Sequence, residues 1–136
     1  MKVAFSESVT FKVLERIDAL SSNVVLRSDL ADLADPRQIS RALDRLVKKD
    51  RLVKLGYGVY GKLASSEIAK TSYLKGGVLP TLREALTRLN VRWEPSPEEQ
   101  AYQSGLSTQV PANPSTKLKD RFRRKLRYRT MELKVE

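Results

Sequence analysis

The fold turns on DPRQISRALDRLVKKDRLVKLGYGVYGK, residues 35–62. Asp35 can cap a helix, and Pro36 suits its first position, because the N–H that proline lacks is one a helix start leaves unpaired anyway. From there Ile39, Ala42, Leu43, Leu46 and Val47 recur at helical spacing, which predicts a helix over Pro36–Lys49 with one apolar face. After Asp50-Arg51, Leu52–Leu55 and Val59–Lys62 are two β-prone runs around Gly56-Tyr57-Gly58, a hairpin signal.

Toward the N-terminus, Ser8–Leu20 reads as an amphipathic helix. Phe11, Leu14, Ile17 and Leu20 form its inner face and Val13 widens it. Ser21-Ser22-Asn23 breaks that helix, and Val24–Leu26 is β-branched enough for a short strand. Ser28 is placed to cap a second short helix, Asp29–Ala34, whose acidic first turn suits the helix dipole. The order helix, strand, helix, turn, helix, hairpin predicts a winged helix-turn-helix over residues 1–63, with Arg37–Lys49 as its recognition helix.

Toward the C-terminus, residues 64–78 read as a connector in which Glu67–Leu74 continues as a helix and Gly76-Gly77 is a hinge. Residues 79–136 read as a small mixed α/β domain. A helix over Thr81–Leu89, capped by Thr81, turns Leu82, Ala85, Leu86 and Leu89 inward, and Val91–Glu94 is a strand closed by Pro95. Ser96 caps a helix over Pro97–Ser104 that Gly105 ends, and Ser107–Pro114 is a polar loop. Arg124–Tyr128 and Glu132–Val135 are expected to pair around Arg129-Thr130, with Leu126 and Tyr128 facing Leu133 and Val135. The class predicted is α+β.

Charge points to the partner. The chain carries 26 Lys+Arg against 16 Asp+Glu, net +10. The excess is segregated: residues 1–35 sum to −2, 36–62 to +6, 63–116 to 0 and 117–136 to +6. Solubility does not require such blocks, and an excess of this size favours a polyanionic partner, with the two blocks as the candidate nucleic-acid contacts. In the first block the outward positions Arg37, Gln38, Ser40 and Arg41 carry the chemistry of base readout, Arg toward guanine and Gln toward adenine. Arg45 and Lys48, further along, suit phosphates, and Lys54, Tyr57 and Lys62 of the wing suit phosphates or the minor groove. Asp44 is the single acid between Pro36 and Lys49, whereas a merely solvated face mixes signs. In the second block Lys117, Lys119, Arg121, Arg123, Arg124, Lys125, Arg127 and Arg129 interleave with Phe122, Leu126 and Tyr128. That pattern fits a second nucleic-acid surface or a solvated face of a folded hairpin, and both readings stand.

Other classes fare worse. With neither cysteine nor histidine there is no disulfide framework, no thiolate or imidazole metal site and no His-based general base. Glu94, Glu98 and Glu99 do not make a metal site on their own. Ser107, Thr108 and Lys117 show no nucleophile–base spacing, and there is no glycine-rich phosphate loop. An enzyme, a cofactor and a metal are therefore not expected. No apolar run approaches the roughly 18–20 residues of a membrane span, and Met1–Thr10 lacks a signal-like stretch, so the expected setting is cytoplasmic.

The segments ISRALDRLVKKDRLVKLGYGVYGK, LREALTRLNVRWEPSPEEQAY and STQVPANP resemble the AbiEi-like antitoxins of bacterial type IV toxin–antitoxin systems, in a short form. The resemblance implies a winged helix that binds inverted repeats near its own promoter and represses it, with Arg37, Gln38, Arg41, Arg45, Lys54 and Tyr57 as DNA contacts. It also implies a C-terminal part that counters a nucleotidyltransferase toxin without a stable complex. The C-terminal part here is much shorter than in the larger antitoxins. The expectation is a sequence-specific repressor acting on double-stranded DNA as a homodimer, since one recognition helix reads few base pairs. The alternatives are an RNA-binding or ribosome-associated basic protein and a toxin-neutralising protein-binding module.

Overall fold

The computed structural model describes residues 5–66, 68, 71–108 and 115–136. Asp35 caps α2 (Pro36–Lys48) as its sequence dictates: the carboxylate accepts from the Gln38 N–H at 2.9 Å, with Pro36 in the first turn. Ile39, Ala42, Leu43 and Leu46 are buried, and Asp50 closes the helix end with a left-handed φ of 56°. α1 (Phe5–Ala19) packs on α2 through Val9, Val13 and Ile17, spaced four apart. Its apolar stripe therefore runs one step round from the expected face. Leu14 and Leu20 are only partly buried, and Phe11 is exposed.

β1 (Val24–Leu26), β2 (Leu52–Gly56), β3 (Val59–Ser66) and β4 (Thr71–Leu74) form one antiparallel sheet. The first part of β3 lies between β1 and β2, pairing Val25 with Tyr60 and Lys54 with Tyr60, and its distal part pairs with β4. The β2–β3 hairpin forms as expected, with a bulge between Lys54 and Gly56. The helix expected over Glu67–Leu74 does not form at its end. Thr71–Leu74 is strand, because the second half of β3 offers it a ladder from Leu63↔Leu74 to Ser66↔Thr71 that propensity cannot foresee. Glu67, Ala69 and Lys70 lie outside the described residues.

The second short helix is also absent as an α-helix. Residues Arg27–Asp29 make a single 3-10 turn, followed by turns to Ala34, with Leu30 N–H on Arg27 O and Leu33 N–H on Leu30 O. The cause is Asp29. Its carboxylate accepts from the Leu26 N–H at 2.9 Å and pairs with Arg88 at 2.5 Å, which holds the start of the segment back against the sheet. Leu30 is still fully buried.

α3 (Val78–Arg88) begins three residues earlier than expected, with Gly77 as its N-cap, and Thr81 lies within it, donating its hydroxyl to Lys75 O at 2.9 Å. Leu82, Ala85 and Leu86 are buried and Leu89 partly so. β5 (Trp93–Pro95) pairs with β6 (Thr116–Leu118), a strand hidden in the sequence within a basic run. α4 (Pro97–Gln103) is capped by Ser96, and Gly105 follows it at φ 80°. Of the loop Ser107–Pro114, residues 109–114 lie outside the described set. β7 (Arg127–Tyr128) and β8 (Met131–Glu132) form a short hairpin around Arg129-Thr130. Leu126, Tyr128 and Leu133 are buried, whereas Val135 is half exposed and bridges Thr116 instead of facing Tyr128.

The molecule is thus mixed α/β, with the four-stranded sheet between two apolar clusters. On one side α1 and α2 enclose Val25, Leu52 and Tyr60. On the other, α3 and the C-terminal segment enclose Val24, Leu26, Leu55 and Val59. This follows from strand alternation, since neighbours along a strand face opposite ways. Gly61 is needed where it stands, because a Cβ there would lie 2.6 Å from Leu74 Cδ1.

One buried charge ties the C-terminal elements together. Arg83, on α3, is 6% exposed. It bridges Glu99 of α4 through two bonds of 2.9 and 2.7 Å, donates to Thr116 Oγ1 at 2.9 Å, and lies 5.0 Å from the Trp93 ring. Such a charge is tolerable in the interior only because its donors are satisfied.

Candidate nucleic-acid interface

Burying Ile39, Ala42, Leu43 and Leu46 leaves Arg37, Arg41, Asp44, Arg45 and Lys48 exposed on the other face of α2, with Gln38 and Ser40 half-buried beside them. Arg37, Arg41 and Lys48 take no ion-pair partner among the described residues. Lys54 is exposed. It shares a register position, and so a sheet face, with Tyr60 of the α1–α2 cluster, which sets it on the side of α2. Tyr57, at the hairpin turn, is 85% exposed.

Lys62 differs. Its ammonium donates to Leu20 O at 2.6 Å, just past the end of α1, where a cation is favoured. Burial lowers its affinity for a proton, and neighbouring Lys75 adds to that. The structure thus sets Lys62 apart from the other wing residues, half-buried and engaged within the fold.

Arg27 was not among the residues singled out by sequence, where it is one cation in a net-acidic segment. Its N–H donates to Gly58 O at 2.9 Å, and its guanidinium donates to Pro36 O. One residue therefore joins the hairpin turn to the first turn of α2. This sets Tyr57 and Gly58 next to the end of the helix that carries Arg37 and Gln38.

The second basic block divides. Lys117 and Lys119 both face Glu94, at 3.6 and 3.2 Å, and the Lys119 bond holds the Glu94 carboxyl below its usual range. Glu94 is thereby committed to cations, as Glu99 is to Arg83, and no cluster suited to a metal ion occurs among the described residues. Arg121 and Arg123 are exposed, and Arg129 lies over the Tyr128 ring at 5.0 Å. Arg124 donates to Tyr57 O, and Lys125 and Arg127 border β2. The C-terminal segment comes so close that a Cβ on Gly56 would lie 3.0 Å from both Leu126 Cδ2 and Lys125 O. The part of the block from Arg124 to Arg127 therefore sits against the β2–β3 hairpin, while Lys117 and Lys119 sit on β6.

Fold and surface together define a small mixed α/β protein with exposed cations on α2 and on the C-terminal segment, two elements on opposite sides of the sheet that Arg27 and Arg124 each tie to the β2–β3 turn. The chain belongs to the family of unknown function DUF6088, which it matches over residues 12–134. No curated protein and no solved structure matches it. No helix among the described residues is long and apolar enough to cross a membrane.

Proposed function

We propose that the protein is a sequence-specific regulator of transcription that binds double-stranded DNA, with residues 1–63 acting as a winged helix-turn-helix. α2 is the recognition helix and β2–β3 the wing. The segment 27–34, a 3-10 turn over Arg27–Asp29 followed by turns, takes the place of the preceding helix. The observation that carries the proposal is the pair Arg37 and Arg41, exposed and without ion-pair partners among the described residues, on the face of a helix whose start is tied through Arg27 to the wing turn. A helix seated in the major groove presents its first turns to base edges, where Arg and Gln discriminate.

Such a site reads few base pairs alone, so the active form is a homodimer on an inverted repeat. The resemblance to AbiEi-like antitoxins extends the proposal to an autoregulated toxin–antitoxin operon with a nucleotidyltransferase as functional partner. Mobility shifts with the duplex upstream of the protein's own gene test the core of it. The wild-type chain should prefer that duplex over a scrambled one, and Arg41→Ala should cut the preference by about 5- to 150-fold, the range for one bidentate base contact. Equal affinity for both duplexes, unchanged in Arg41→Ala, refutes the reading.

A further inference from the structure

A groove of about 570 Å³ runs between the outer edge of β2 and the C-terminal hairpin, lined by Lys54, Gly56, Tyr57, Lys125, Arg127 and Glu132 among others. β2 is an edge strand of its sheet, so the wing side of the groove is the rim of the sheet. Three cations face one carboxylate, and Glu132 meets Lys125 at 3.9 Å with both side chains largely exposed. A solvated pair of that kind neutralises little, and the groove keeps an excess of positive charge. Arg121 and Arg123 extend the charge along the same segment without ion-pair partners among the described residues. The groove is also built rather than incidental. Gly56 admits the Lys125 carbonyl, Leu126 is buried beneath it, and Arg124 anchors the segment to the Tyr57 carbonyl.

We infer that this groove holds the sugar-phosphate backbone of the DNA next to the bases read by α2. It acts as a phosphate clamp shared by the wing and the C-terminal segment. The inference rests on the DNA-binding reading above and adds to it a second contact made by residues more than 60 positions away in sequence. The occupant follows from continuity. Arg27 joins the start of α2 to the Gly58 carbonyl, and Arg124 joins the adjacent Tyr57 carbonyl to the second cationic block. A strand leaving the bases at Arg37 and passing the Tyr57–Gly58 turn would come to the groove whose lining Tyr57 shares with Lys125 and Arg127. Their lining cations suit phosphate oxygens, and Tyr57 offers an exposed ring to the sugar. Lys125 and Arg127 are the contacting residues. Arg124 is a positioning residue, which acts through the wing turn.

The clamp is tested by the salt dependence of binding to a fluorescein-labelled 30-base-pair duplex of random sequence, with full-length protein between 50 and 200 mM NaCl. Lys125→Ala/Arg127→Ala should reduce the slope of log K against log[salt] by about 1.8, at about 0.9 per phosphate contact, and weaken binding at 0.1 M about 60-fold. Lys117→Ala/Lys119→Ala removes the same charge outside the groove and should leave the slope unchanged. Lys125→Arg/Arg127→Lys should keep the wild-type slope, which separates lost phosphate contact from lost folding. Equal losses in the two alanine pairs, or an unchanged slope in the first, overturn the clamp. If Arg41→Ala nevertheless abolishes the preference for the upstream duplex, the recognition helix survives and only the clamp fails. A wild-type chain that binds no duplex overturns both.

Discussion

Gly56→Ala probes the joint between the wing and the C-terminal segment with a single methyl group. The added Cβ would stand 3.0 Å from Leu126 Cδ2 and 3.0 Å from the Lys125 carbonyl oxygen. Ordinary contact begins several tenths of an ångström further out, so the neighbours must give. Leu126 is 2% exposed in the same buried cluster as Leu55 and Tyr128, and Lys125 O is backbone, so neither yields freely. Overpacking of this kind costs about 1–2 kcal/mol, or roughly 3–10 °C in Tm for a chain of this size. Urea unfolding followed by far-UV dichroism measures it. Leu126→Ala alone leaves a cavity costing about 2–4 kcal/mol, but it also makes room for the new methyl. The double variant should therefore be more stable than the sum of the two single losses predicts, by on the order of 0.5–1 kcal/mol. A Gly56→Ala midpoint equal to wild type, or a strictly additive cycle, would show that the C-terminal segment does not press on the wing.

Two further outcomes separate scaffold from surface. Lys62→Ala should cost about 1–2 kcal/mol of stability by releasing the Leu20 carbonyl, while the salt slope for duplex DNA stays at the wild-type value; a reduced slope at unchanged stability would return Lys62 to the interface. Asp120, gripped by Arg92 through bonds of 2.8 to 3.2 Å, has its carboxyl pulled down to about 2, chiefly by that side-chain bond. Because the folded value lies below the ordinary 3.8, the stabilising effect of this pair is fully present at neutral pH and fades as pH falls from about 4 through 2. A carboxyl-carbon NMR titration should show it, and Arg92→Ala should raise the value toward the ordinary one without fully restoring it, because the Arg92 backbone N–H still donates to the carboxylate; a native titration near 4 would contradict the pairing.

How much of this was legible in the sequence depends on how local the cause is. α2 and α4 were readable to within a residue or two, because Asp35-Pro36 and Ser96-Pro97 carry their own caps and the apolar spacing of α2 is unambiguous. The β2–β3 hairpin was readable from its turn glycines. What failed was decided at a distance. Asp29 looked like the first turn of a helix but is claimed by Arg88, 59 positions on. Thr71–Leu74 takes its conformation from β3, and Thr116–Leu118 from β5. Phe11 fits a helical stripe as well as Val9 and Val13 do, and only the docking of α2 chooses between them. Within the candidate interface, the exposed cations of α2 follow directly from its apolar pattern. Lys62 and Arg27 do not, because both act on backbone carbonyls, Leu20 O for one and Pro36 O for the other, whose proximity no spacing rule encodes.

The placing of Val59 in one apolar cluster and Tyr60 in the other has a consequence for fidelity. A slip of β3 by one residue against its partners would not merely expose one face, as in a sheet with a wet side. It would send the Tyr60 phenol into the already filled cluster behind the sheet and withdraw it from beneath α2, so both halves of the molecule would reject the error at once. The alignment of the strand is proofread from two directions. The Tyr57–Gly58 turn, one residue upstream of that strand, therefore stands at a fixed height relative to α2.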